Sequence, residues 1–197
     1  SLFAALRDLP GLRRFVCADA IGITVLLTLS YYADAAIRGE GYANEASGDW
    51  VALSAIAMLA MSGLIAWSAE RIRPRWWMIA GLLCGAGASV AAAVGGHAFA
   101  YGAAAVGVGI YMATRASCHA PQVMRMAPGR DGTAPIGVAL ALVMPVQGLG
   151  PWVAGNWLIP DVGYRPIFLT VAGLAVLAAA LLLLWVPRGS PGSAARS

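Results

Sequence analysis

Lysine occurs nowhere in this chain, and its nine acidic residues are outnumbered by thirteen arginines. Without lysine there is no G-x-x-x-x-G-K-[ST] phosphate loop, so ATP is not used directly on this polypeptide. Charge of either sign is sparse: 11% of residues carry it, where an ordinary soluble domain has roughly a quarter. Cysteine is sparse too. Cys17, Cys84 and Cys118 stand far apart. With no C-x-x-C pair or cysteine–histidine cluster, no zinc site is expected and the thiols read as packing groups. Neither a metal nor an organic cofactor is expected. The chain opens on Ser1 and lacks a basic segment followed by a short apolar core and a cleavage site. It is therefore expected to be part of a longer polypeptide.

What is present is apolar length. Hydrophobic residues make up 60% of the chain and the mean hydropathy is +0.74. A bilayer core about 30 Å thick is crossed by about 20 helical residues. Six runs qualify or nearly so: residues 15–37, 50–68, 76–94, 98–114, 135–157 and 166–185. They are continuously apolar, whereas barrel strands would alternate in polarity. Helices satisfy every backbone group internally, as hydrocarbon requires. The expected fold class is all-α: a polytopic membrane protein of six transmembrane helices spanning residues 1–188. The tail at 189–197 is Gly, Ser, Pro, Ala and Arg, and is expected to be disordered.

The links carry their own information. Only Gly95, Gly96 and His97 separate the third run from the fourth, which makes those helices antiparallel neighbours. A longer link at 115–132 holds three arginines with Pro121 and Pro128, and residues 121–126 suit a short interfacial helix. The fifth run is interrupted by Pro145 and Pro151. Glycine and alanine are scattered through every run. Such residues allow close backbone approach in lipid, and a few of them are alternatively bending points.

Taking the runs as spans places Arg7, Arg13, Arg14, Arg71, Arg73, Arg75, Arg115, Arg125, Arg130, Arg188 and Arg196 on one side of the membrane. Arg38 and Arg165 fall on the other. Positive charge is retained in the cytoplasm, so both termini are expected there, in a bacterial inner membrane. The formal net charge of +4 invites a nucleic-acid partner. That reading is rejected, because the arginines sit in short links and form no stripe along one surface. Anionic headgroups of the lipid bilayer suit them better.

Gly148-Leu149-Gly150-Pro151-Trp152-Val153-Ala154-Gly155, followed by Gly163-Tyr164-Arg165-Pro166-Ile167-Phe168, resembles the end of a major facilitator superfamily transporter. There a G-x-G-P-x-x-x-G segment in the eleventh helix precedes a G-[WY]-R-x-x-F start to the twelfth. Leu9-Pro10-Gly11-Leu12-Arg13-Arg14-Phe15 is similar to the cytoplasmic start of the seventh. A cytoplasmic loop motif, D-R-x-G-R-R in the family, is matched in part by Glu70, Arg71 and Arg75; Arg73 replaces its glycine and Pro74 an arginine. The resemblance implies the C-terminal six-helix half of a twelve-helix permease, built as two three-helix inverted repeats. It also implies a partner, the missing N-terminal six-helix half of the same polypeptide, and a central cavity faced by the first and fourth helices.

Ionisable residues in spans face a cavity or a partner. Asp19, inside the first span, is a candidate for carrying a coupling proton, or for pairing with a cytoplasmic arginine in a gate or cap. Asp34 is a second coupling or gating candidate, or a solvated outer residue. Tyr31 and Tyr32 are candidates for lining the cavity, with interfacial anchoring the alternative for at least one of them. On the fourth span, Tyr101 and Tyr111 are cavity candidates. Tyr111, Arg115 and Cys118 share a face if the helix continues that far. Arg115 then gates or binds an anion, or else is an ordinary cytoplasmic anchor. His97 and His119 fall in links and are assigned no role. Gln147 either repairs backbone freed by the prolines or hydrogen-bonds a solute.

The expected function is half of a secondary transporter moving a small-molecule substrate by alternating access, with protons as coupling ion and efflux of an amphipathic compound favoured. An importer of a sugar or organic acid is the alternative, as is a non-transporting scaffold or sensor on a transporter fold. An intramembrane protease is set aside. Ser89, in Gly87-Ala88-Ser89-Val90, lacks the glycine that should follow, and no histidine lies mid-run. The chain is not expected to be an enzyme.

Overall fold

The computed structural model describes residues 9–39, 45–95, 98–127 and 133–186. Six long helices account for nearly all of them, and no strand occurs among the described residues. They are α1 (Pro10–Gly39), α2 (Glu45–Ser68), α3 (Pro74–Val94), α4 (Ala98–Met126), α5 (Thr133–Val153) and α6 (Tyr164–Trp185). α5 continues past Val153 through one widened turn, Ala154–Leu158, and a last α turn, Ile159–Val162. The segments Pro10–Ala33, Gly48–Ser68, Pro74–Val94, Ala134–Val162 and Tyr164–Trp185 are each long and apolar enough to cross a membrane. α4 has the length, at 29 residues, but its C-terminal half carries Arg115, His119 and Arg125. The chain is an all-α membrane protein.

Local chemistry sets the helix ends. Arg73 is extended and Pro74 opens α3, where proline's missing N–H is no loss and its φ suits the first turn. Gly95 stops the same helix at φ 59°, and Gly163 separates the end of α5 from α6 at φ 77°. Both sit in the left-handed region that glycine occupies without a Cβ clash. The Gly163 N–H still reaches Ile159 O at 2.9 Å.

Two expectations about the runs are corrected. The fourth was expected to end at 114; α4 instead continues to Met126, absorbing the stretch from 115 and the separate helix expected at 121–126. Pro121 is tolerated because it is exposed, and it deprives only the Ser117 carbonyl of its helix partner. The fifth was expected to be interrupted at its prolines; it runs unbroken to Val162, absorbing the strain in the widened turn. The tail at 189–197, the Asp34 side chain and His97 lie outside the described residues.

The helices pack as a curved row in which α2 lies on α4, α4 on α3, α3 on α6, α6 on α1, and α1 on α5. α2 and α5 are the edges and the least buried spans. Glycines make the close seams. A Cβ at Gly107 would stand 2.8 Å from Cys84 O on α3, and one at Gly109 2.2 Å from Ser54 O on α2. On the other side, a Cβ at Gly150 of α5 would stand 2.3 Å from Thr24 Cγ2 of α1. In a medium where burial of apolar area gives little, such approach is what holds helices together.

Candidate functional site at the junction of α1 and α4

One helical face of α4 carries Tyr111, Arg115 and His119 at spacings of four, and that face meets α1 at Asp19. The Arg115 guanidinium grips the carboxylate with two hydrogen bonds, Nε to Oδ1 at 3.0 Å and Nη2 to Oδ2 at 2.9 Å. This fork-on-carboxylate geometry is the strong form of a charge-assisted bond. His119 Nε2 lies 3.4 Å from Asp19 Oδ2. The Asp19 side chain is only 1% exposed, against 17% for Arg115. The carboxylate sits nine residues into α1, about 14 Å along the helix at 1.5 Å per residue.

Apolar and aromatic groups complete the enclosure. Phe15, one turn before Asp19, packs its ring on His119 at 5.4 Å between centroids. Beside the carboxylate is a cavity of about 10 Å³, lined by Gly22, Met78, Leu82, Tyr111, Thr114 and Leu182 together with Ala18 and the ion pair. That is room for about one water. Glycine at 22 leaves this space open: a Cβ would stand 2.8 Å from Leu82 Cδ2, the end of a flexible side chain that would have to shift, and 3.5 Å from the Tyr111 hydroxyl. The enclosed space beside the carboxylate admits nothing larger than a water.

The other candidates scatter. Tyr101 and Tyr111 are both buried in the helix packing. Tyr31 is 66% exposed, whereas its neighbour Tyr32 turns inward and donates to Pro151 O at 2.7 Å. Gln147 donates to Met144 Sδ at 3.1 Å and does not repair the backbone. Other side chains bond carbonyls of this helix, though not those of Ala141 and Gln147 that Pro145 and Pro151 leave without a helix N–H: Thr24 Oγ1 donates to Val146 O at 3.1 Å, Tyr32 to Pro151 O, and Asn156 Nδ2 to Trp152 O at 2.9 Å. Of the loop motif, Glu70 is exposed and Arg71 lies over the Trp67 ring at 5.5 Å. Arg75 is buried and caps the end of α6, donating to Val186 O at 3.0 Å and to Leu183 O. Arg14 joins it there, with Nη1 3.5 Å from Trp185 O.

Two placements overturn what the links implied. His119 is not in a link: it is buried in α4 against Asp19. Arg115 is no surface anchor, since it lies 11 residues before the end of α4 and faces inward. The signal for both was the four-residue spacing from Tyr111, hidden by the apparent end of the apolar run at Thr114. Ser89 is fully buried and its Oγ donates to Gly85 O at 2.9 Å within its own helix. Cys17 and Cys84 are exposed and Cys118 is buried, so only one of the three thiols is a packing group. The chain matches no protein-family model and no curated protein.

Proposed function

We propose that this chain is the C-terminal six-helix half of a secondary transporter of the major facilitator type, moving a small solute by alternating access and coupled to protons at Asp19. The observation that carries the reading is the Asp19–Arg115 pair, a fully enclosed carboxylate bound by an arginine from a different span. Removing two charges from water costs several kcal/mol per ion, and pairing offsets this only when geometry and hydrogen bonding are good. A pair retained at that cost inside an apolar bundle suits a group that changes its charge during a working cycle.

The neighbour order supports the repeat arrangement. Exchanging α1 with α4, α2 with α5, and α3 with α6 turns the α1–α5 contact into α4–α2. The same exchange turns α1–α6 into α4–α3 and leaves α3–α6 as it is. This is the pattern two inverted three-helix repeats would have, with α1 and α4 equivalent and joined by the ion pair. The end of the bundle bearing Arg13, Arg14, Arg71, Arg73, Arg75 and Arg125 is then cytoplasmic, in a bacterial inner membrane. The solute site is taken to form between this half and the N-terminal half, since the cavity beside Asp19 holds no more than a water. The open stripe of α1, with Cys17 and Tyr31 exposed and Ile21 and Thr24 partly so, is mostly apolar and favours efflux of an amphipathic compound.

Solute flux by the full polypeptide in proteoliposomes, under an imposed proton gradient and across a panel of drugs, sugars and organic acids, tests this. The wild type should move one class in response to the gradient. Asp19→Asn should abolish that response while leaving solute counterflow intact. Gradient-driven flux unchanged in Asp19→Asn would remove Asp19 from the coupling role, and no flux of any solute by folded, inserted protein would overturn the transporter reading.

A further inference from the structure

Asp19 is sealed from the arginine-rich end of the bundle by two side chains. α1 enters from that end, so Phe15 lies one turn nearer to it than Asp19; α4 leaves towards it, so His119 lies one turn nearer than Arg115. The two rings pack on each other at 5.4 Å, and His119 is 5% exposed. A proton arriving from that side meets His119 before the carboxylate. Its Nε2 already lies 3.4 Å from Oδ2, close enough to hand over a proton after a small movement, yet makes no hydrogen bond there.

Among the described residues, no other titratable group on the neighbouring elements offers a route. α3 and α6 present Met78, Leu82 and Leu182 to the carboxylate. α5 contributes only Asp161 and α2 only Glu45 and Asp49, all near the opposite end of the bundle. On α4 itself, Arg115 is a permanent cation, Tyr111 lies on the far side of Arg115 from His119, and Cys118 adjoins His119 in sequence. Arg14 and Arg75 are turned to the end of α6. Glu70 and Arg71 follow α2 in the exposed link.

Resting on the proton-coupled reading, we infer that His119 is the relay through which protons from the arginine-rich side reach Asp19. In the step, imidazole Nδ1 accepts a proton from hydronium on the arginine-rich side, leaving water, as Nε2–H passes its own to Asp19 Oδ2. The products are the neutral Nδ1–H tautomer and a carboxylic acid, so one proton has moved inward and the ring has no net change of charge. Arg115 then loses its anionic partner, which frees α1 from α4. Return of the ring to the Nε2–H tautomer completes the relay. Histidine is the side chain suited to this, having two nitrogens able to exchange roles.

The test is infrared difference spectroscopy after a pH jump on the full polypeptide in liposomes, following the carboxylic-acid carbonyl band that Asp19→Asn removes. His119→Gln should slow the rise of that band on the order of 10²-fold without changing its final amplitude. His119→Ala should behave alike and be accelerated by added imidazole, which a merely structural role would not produce. In the unmodified protein the imidazole ring modes should change before or with the carboxyl band. A band rising at the wild-type rate in His119→Gln, or with silent ring modes in the wild type, would overturn the relay. Proton-driven flux preserved in His119→Gln alongside an unslowed band would leave the transporter reading standing and remove only the relay. A slowed, imidazole-rescued band in protein that moves no solute would do the reverse.

Discussion

The hydroxyl of Tyr32 is bonded to the carbonyl of Pro151 at 2.7 Å, across the seam between α1 and α5. It fits there because residue 155, one turn further on, is glycine: a Cβ at that position would stand 1.8 Å from the same hydroxyl. Proline, glycine and tyrosine thus form one unit. Pro151 removes one N–H from the helix ladder, the widened turn begins three residues later, and the Tyr32 hydroxyl adds a bond from the neighbouring span at the proline's own carbonyl.

Tyr32→Phe should therefore destabilise the protein by about 1 kcal/mol, the net worth of one such bond. Gly155→Ala should cost as much or more, and the two should not add, because either change already breaks the contact. Thermal unfolding of the four proteins in one detergent measures this. Full additivity would mean that Tyr32 and Gly155 act separately.

Much of this architecture was legible in the sequence, and the misses have physical causes. The second, third and sixth runs have apolar stretches close to the bilayer thickness and clear end signals, such as Pro74 and Gly95, so their helices matched within a few residues. Asp19 was conspicuous as a carboxylate inside an apolar run. Its partner was not, because Arg115 sits where hydrophobicity falls off and reads as an anchor facing the cytoplasm. Only the continuation of α4 past Thr114 turns that arginine inward, where the continued part meets Phe15 and Asp19 of α1. His119 was missed for the same reason. Gln147 turns to Met144, and the donors that reach carbonyls of α5 from outside it, Thr24 and Tyr32, come from the next helix and so carry no mark in local sequence.

The ion pair predicts a cycle of its own. Asp19→Asn leaves Arg115 as a buried cation without its anion, and Arg115→Gln leaves the carboxylate likewise stranded. Each single change should cost about 3–5 kcal/mol. The double variant Asp19→Asn/Arg115→Gln buries two neutral amides able to bond each other, and should recover most of the loss. Unfolding in detergent checks it; a double variant as unstable as the sum of the singles would mean that the charges are stabilised by groups other than each other.

The orientation predicts opposite labelling of the two ends of α2. Its 24 residues give a length of about 36 Å, enough to cross the hydrocarbon. In protein whose Cys17, Cys84 and Cys118 are replaced by alanine, cysteines at the exposed positions Asp49 and Arg73 should react with an impermeant reagent from different sides of intact cells. Asp49→Cys should label without permeabilisation and Arg73→Cys only after it. Labelling of both from one side would refute the six-span topology, and the reverse pattern would invert the orientation.

Two glycines on neighbouring helices should answer alanine in opposite ways. At Gly87 of α3 nothing lies within 4 Å of the added Cβ, so Gly87→Ala gains helix propensity and fills open space. It should leave stability unchanged or raise it by up to about 1 kcal/mol. At Gly109 of α4 the Cβ would stand 2.2 Å from Ser54 O and 3.0 Å from Ala57 Cβ. The first of these is backbone, which cannot swing aside as a flexible side chain would, so α2 as a whole must move. Overpacking of this kind costs typically 1–3 kcal/mol. Since α2 is an edge helix held mainly by α4, the loss should appear as detachment of α2, with little disturbance of the Asp19–Arg115 junction on the far face of α4. Limited proteolysis in detergent should then cut Gly109→Ala first at the ends of α2, while Gly87→Ala is cut no faster than the wild type. Equal protection of α2 in both variants would show that the α2–α4 seam does not depend on backbone approach at Gly109.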